Sequence, residues 1–99
     1  MTYAEDRRRA EIARIEAALD AVPWPPFVTG REWKLDIDST GKEAIWIWVV
    51  VPTYDMVEAN EEAWMAMRDA IHDTLPAKGV DLWPYIRLKT EDEQPAKRR

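Results

Sequence analysis

Cysteine is absent from this 99-residue chain. No disulfide can form, and no thiolate can act as nucleophile or zinc ligand. A reducing compartment suits such a chain, and the cytoplasm is its expected location. Histidine occurs once, as His72. Asp69 and Asp73 stand at i−3 and i+1 from it and do not converge on one point, so a surface histidine is expected rather than a metal or acid–base site. The single serine, Ser39, falls in a turn with no base at hand. Gly30, Gly41 and Gly79 are isolated, so no phosphate-cradling loop is present. Asp36, Asp38 and Glu43 flank that turn at a spacing that matches no calcium loop. The expectation is therefore a non-enzyme, with no catalytic residue, no metal and no cofactor. No run approaches the roughly 20 apolar residues of a membrane span. No apolar segment follows Arg7, Arg8 and Arg9 as a secretory signal would require, so none is expected. Positive charge is also short: 14 Lys and Arg against 19 Asp and Glu leave a net charge of −5. Nucleic acid is disfavoured as a partner on that background, because phosphate contacts call for Lys and Arg.

What the chain has instead is tryptophan, six in all, each able to bury on the order of 200 Å². Two stand in its most apolar run, Ala-Ile-Trp-Ile-Trp-Val-Val-Val-Pro at residues 44–52. That run is β-branched and aromatic, of strand length, and closed by Pro52, which cannot donate to a ladder. Upstream, residues 33–38 alternate: Trp33, Leu35 and Ile37 on one side, Lys34, Asp36 and Asp38 on the other, the pattern of a half-buried strand. Between the two lies Asp38-Ser39-Thr40-Gly41-Lys42. Aspartate at the start and glycine near the end fit a type I turn with a G1 bulge. That loop would set Leu35 opposite Ile45, Trp33 opposite Ile47 and Lys34 opposite Trp46. A two-residue Thr40-Gly41 turn would shift the register by one and send the tryptophans inward.

Helices flank this hairpin. Residues 2–21 carry Ile12, Ile15 and Leu19 at helical spacing, a stripe that Val22 continues, with Thr2 and Glu5 spaced as a capping box. Arg7, Arg8, Arg9 and Arg14 lie among Glu5, Asp6, Glu11 and Glu16; this reads as a solvated face, with an arginine patch for an acidic partner as the sharper possibility. Pro23-Trp24-Pro25-Pro26 breaks the helix, with Trp24 and Phe27 expected under the sheet edge. A second helix is expected over 57–75, capped by Asp55, with Val57, Trp64, Met67, Ile71 and Leu75 inward and Pro76 and Gly79 ending it. Trp64 is expected to be buried between this helix and the sheet. A third strand, 81–89, sets Ile86 and Leu88 against Tyr85, Arg87 and Lys89. Residues 90–99 read as a charged tail.

The expected fold is thus α+β: one domain over 1–89, an αββαβ two-layer sandwich whose three-stranded sheet is covered by two helices on one face. The element order resembles the type II KH-like arrangement of the ribosome-binding factor A family. That family's Gly-x-x-Gly loop has no counterpart here; Pro76-Ala77-Lys78-Gly79 is not it. The order is also similar to small regulatory domains of ferredoxin-like or metallochaperone-like shape, without the cysteine pair of the latter. The alternating Trp46-Ile47-Trp48-Val49 strand and the Trp83-Pro84-Tyr85-Ile86-Arg87 segment resemble small bacterial αββαβ proteins, a likeness that implies a family but no activity.

In residues 43–51 both alternating sets are apolar, and a sheet with helices on one face leaves the other open. Trp46, Trp48, Val50 and Tyr85, beside Arg87 and Lys34, are therefore the expected partner-binding surface. The function this implies is a small acidic interaction or regulatory protein that associates with itself, as a homodimer, or with another protein. The alternative is single-stranded RNA stacked on Trp46, Trp48 and Tyr85 with Arg87 on phosphate. A third possibility is that Trp24, Phe27 or the tail covers the face internally.

Overall fold

A computed structural model describes residues 3–93 of the chain. The elements run α1 (Tyr3–Asp20), β1 (Gly30–Ile37), β2 (Glu43–Val51), α2 (Tyr54–Ala59), α3 (Glu61–Ala77) and β3 (Pro84–Thr90), followed by a 3₁₀ turn at Glu91–Glu93. Thr2, half of the expected capping box, lies outside the described residues, as do residues 94–99 of the expected tail at 90–99, whose first four residues are instead the end of β3 and the 3₁₀ turn. β3 itself reaches one residue past the expected domain end.

The sheet has the order β1-β2-β3. The apolar run at 44–51 takes the centre, where both its faces are used. β1 pairs with β2 antiparallel, with Leu35 opposite Ile45, Trp33 opposite Ile47 and Lys34 opposite Trp46. The loop sets this register. Asp38 N donates to Lys42 O at 2.8 Å, Gly41 N donates to Asp38 O at 3.0 Å, and Gly41 takes φ +85°, the left-handed residue of the G1 bulge. β3 returns parallel to β2, with Trp46 beside Tyr85, Ile47 beside Ile86 and Trp48 beside Arg87. A parallel return needs a crossover, which α2 and α3 supply.

One face of the sheet carries the core. Ile15, Ala18, Leu19 and Val22 from α1 and its exit meet Ile45, Ile47 and Val49 of β2, and Met67, Ile71 and Leu75 of α3. Ile12, expected in the α1 stripe, is exposed, because the buried part of α1 begins at Ile15. Trp24 joins the core side and donates from Nε1 to Leu19 O at 2.7 Å. Phe27 is buried.

The second helical segment departs from expectation in three ways. It is two helices, broken at Asn60, whose φ −129° and ψ 41° lie outside the helical region. Asn60 N donates to Val57 O at 3.1 Å and its carboxamide donates to Met56 O at 2.8 Å, closing α2. Its own carbonyl accepts from Trp64 N at 3.0 Å, opening α3. Asparagine favours such breaks because its side chain competes for backbone bonds. Asp55 is no cap: α2 starts after Thr53, without a side-chain capping bond, and Asp55 sits in the first turn. Trp64 is half-buried at the margin of the core, while Met67, Ile71 and Leu75 fill its centre.

α3 ends at Gly79, φ +83°. Val80 N donates to Leu75 O at 2.9 Å and Gly79 N donates to Pro76 O at 3.0 Å. This is a Schellman motif, and buried Val80 and Leu75 supply its apolar contact. Pro76 lies inside the last turn rather than beyond it. No described helix is long and apolar enough to cross a membrane.

Candidate functional site

Period-two alternation on three paired strands assigns the second face of the sheet. One row is Lys34, Trp46 and Tyr85; the next is Glu32, Trp48 and Arg87; Asp36 and Ala44 lie beyond the first, Val50 and Lys89 beyond the second. Neither α1 nor α3 covers this face, since both pack on the core side. Trp24 and Phe27, candidates to cover it from within, lie elsewhere: Trp24 packs on the core side and Phe27 in a groove with Pro25, Pro26, Met56, Asn60 and Ala63.

The rings stand on edge. Trp46 stacks on Tyr85 with centroids 4.5 Å apart and planes within 19°. That separation is close to the strand spacing of about 4.8 Å, so the stacking direction runs along the sheet and the planes rise from it. The outward surface therefore consists of ring edges. Such a stack contributes about 0.5–1.5 kcal/mol beyond its burial. Cations border the rings. The Arg87 guanidinium lies 5.4 Å from the Trp46 ring centre. Lys34 from β1 and Lys89 from β3 lie 6.0 and 5.9 Å from Trp48. Cation–π contacts of this kind contribute about 0.5–1 kcal/mol each when exposed. Glu32 accepts from Lys89 at 3.2 Å and Asp36 pairs with Lys34 at 3.3 Å, so the face is a charge mosaic rather than a basic patch.

Tyr85 ties this face to the hairpin loop. Its hydroxyl donates to Asp38 Oδ2 at 3.1 Å. Asp38 Oδ1 accepts from Thr40 Oγ1 at 2.6 Å, Thr40 N at 2.9 Å and Lys42 N at 3.1 Å. Led by the Thr40 hydroxyl, these bonds hold the carboxyl down to about 2. Burial, and then the Asp38 carboxylate beside it, push the Tyr85 phenol upward.

Of the expected binding residues, the structure brings Lys34, Trp46, Trp48, Tyr85 and Arg87 together on this face. Val50 does not serve: it is 1% exposed and offers no contact surface. Two contributors escaped the sequence reading. Lys89 flanks Trp48, and Glu32 pairs with it; the alternation of β1 and β3 carried the signal for both, but only the strand order puts them side by side.

The other chemistry-bearing residues form nothing comparable. Arg8 donates to Glu11 at 2.7 Å and Glu43 at 3.1 Å, so its guanidinium in the cleft on α1 is already held by two carboxylates. His72 meets the edge of exposed Trp83 at 5.0 Å, on the outer wall of a groove with Leu82 and Pro84. Among the described residues no group of three or more His, Asp or Glu converges as metal ligands. No protein-family model matches the chain, and neither a curated protein nor a solved structure shows significant similarity to it.

Proposed function

We propose that this chain is a small acidic, non-catalytic association protein that docks a protein surface on the open face of its sheet. The observation that carries this reading is the placement of Trp46 and Trp48, half-buried and edge-up, within a mosaic of Lys34, Arg87, Lys89, Glu32 and Asp36. Apolar ring edges surrounded by both signs of charge suit a protein surface, which offers apolar side chains and counter-charges in one patch. Arginine and tryptophan are also the residues that most often dominate such contacts.

Single-stranded RNA is the second reading, because aromatic rings and three cations share one sheet face. Base stacking needs free ring faces. One face of Trp46 is taken by Tyr85, and Trp48 is flanked by lysines from both neighbouring strands, which favours the protein reading. The resemblance of the element order to type II KH-like domains is not a basis of the proposal. The junction of α2 and α3 there reads Ala59-Asn60-Glu61, without the Gly-x-x-Gly loop, so loop-mediated RNA binding is no part of the proposal.

Site-directed photo-cross-linking in cells expressing the chain tests the reading. A benzophenone amino acid at position 34 should yield a protein adduct that Arg87→Glu abolishes. The same group at position 69, on exposed α3 surface, should yield none. No adduct from position 34, or equal adducts from both positions, would overturn it.

A further inference from the structure

We infer that the open face is self-complementary and that its partner is a second copy of this chain, related by a two-fold axis lying between two facing sheets, across the strands, and midway between Trp46 and Trp48. The inference rests on the association reading above and names its partner. Closed two-fold dimers place one patch against itself, so the patch must carry both halves of every contact. The two rows of this face do. The axis lays β1 on the partner's β1 and β3 on the partner's β3, and exchanges the two rows. The row Lys34, Trp46, Tyr85 then meets the row Glu32, Trp48, Arg87.

Every juxtaposition this creates is favourable in kind. Lys34 faces the partner's Glu32, twice over by symmetry. Trp46 faces the partner's Trp48. Tyr85, with the Asp38 carboxylate on its hydroxyl, faces the partner's Arg87, so the guanidinium gains an anion. Facing sheets are rotated by about 30°. The two exchanging rows lie nearest the axis, where that rotation displaces side chains least.

The alternative two-fold, along β2, is poorer. It lays Lys34 on the partner's Tyr85 and Trp46 on its own copy, and leaves Glu32–Arg87 as the one opposite-charge contact. The ion pairs inside the chain, Lys34–Asp36 and Lys89–Glu32, do not stand in the way. The first pair is exposed and the second partly so, and surface pairs of this kind contribute little to stability. The net charge of −5 opposes association only at long range and is screened over about 8 Å at physiological salt. Three short strands offer less than the roughly 800 Å² per partner of a standard interface, so the dimer belongs to the weak, micromolar class.

Charge exchange across the axis is the test, read by sedimentation equilibrium of the purified chain from 5 µM to 1 mM at 0.15 M salt. The parent should dimerise. Lys34→Glu alone sets its new carboxylate against the partner's Glu32, and Glu32→Lys alone sets its new ammonium against the partner's Lys34; each should weaken dimerisation at least about tenfold. Mixed one to one, the two variants should associate with each other about as tightly as the parent does with itself. Both substitutions are on exposed residues, and unchanged circular dichroism will confirm that both variants fold. A parent that stays monomeric throughout overturns the inference, as does a mixture that does not associate; on the axis along β2, the lysine introduced by Glu32→Lys would still oppose the partner's Arg87 and the mixture would fail. A monomeric parent whose position-34 cross-link captures a different protein leaves the association reading standing and removes only the second copy.

Discussion

Asp38 does two jobs at one position. Its Oδ1 closes the β1–β2 loop through Thr40 and Lys42, and its Oδ2 receives Tyr85 from β3, 47 residues away in sequence. All these bonds favour the charged carboxylate, which is why its pKa lies near 2 against an ordinary 3.8. A carboxyl whose folded pKa is depressed adds stability above its unfolded pKa, and that stability disappears as pH falls through the folded value. The window here is about pH 4 down to pH 2. Urea midpoints measured across it should fall further for the parent than for Asp38→Asn, which has no proton to take up at this site. Parallel curves would show that the carboxylate stabilises nothing. Asp36, also held low, chiefly by the backbone N–H of Ile37, is common to both proteins and drops out of the difference. The loop half of this arrangement was legible, because Asp-x-x-Gly names the turn and the turn fixes the register. The Tyr85 half was not. Nothing local ties residue 38 to residue 85; only a parallel return of β3 beside β2 brings them together.

At the scale of elements, the two ends of α3 behave oppositely. Its C-terminus was readable: Gly79 is the one residue type that takes φ +83° without strain, and Val80 follows to pack on Leu75. Gly79→Ala should cost about 1 kcal/mol or more, from the left-handed backbone and from a Cβ that would meet Arg14 Cδ at 3.3 Å. An unchanged denaturation midpoint would mean that the motif does not set the helix end. The N-terminus was misread. A single apolar stripe from Val57 through Trp64 to Leu75 has helical spacing throughout, and periodicity carries no mark of the break at Asn60. The break puts Val57 on a separate helix and leaves Trp64 in the first turn of α3, at the margin of the core, while Met67 and Ile71 further along take the centre. Ile71→Ala should therefore cost about 2–5 kcal/mol, and Trp64→Ala should cost less despite removing more atoms, since part of its ring is already in water. The reverse order in chemical denaturation would return Trp64 to the core. α1 divides in the same way. None of its described side chains through Arg14 is buried, and all its buried residues lie from Ile15 on. Native-state hydrogen exchange should find fast amides in its first two turns and slow ones after Ile15.

The whole molecule sets one layer of helices against a sheet whose central strand is apolar on both sides; the strand follows from residues 43–51 and the helix layer from the apolar stripes at 12–22 and 57–75. Strand order does not, because both β1-β2-β3 and an arrangement with β1 central satisfy the same alternation. Yet strand order decides the character of the open face. With β2 central, Trp46 and Trp48 are hemmed by Lys34 on one side and by Tyr85, Arg87 and Lys89 on the other; with β2 at an edge they would present free ring faces. The chain's charge leads to the same partner preference as the ring geometry. Three cations share the face with Glu32 and Asp36, so an approaching strand of RNA gains few phosphate contacts and meets a molecule of net charge −5. Each neutralised phosphate contributes about 0.7 to the salt slope for a single strand, and three cations, two of them already paired with carboxylates, allow a slope of no more than about 2. Titration of the protein with a single-stranded 12-mer RNA at 0.15 M salt should leave tryptophan fluorescence unchanged. Trp48 is the sensitive reporter, since a base stacking there must displace Lys34 or Lys89. A saturable quench that steepens at low salt and vanishes in Trp48→Ala would reverse the preference, because it could arise only if the lysines leave the ring faces and follow the phosphates.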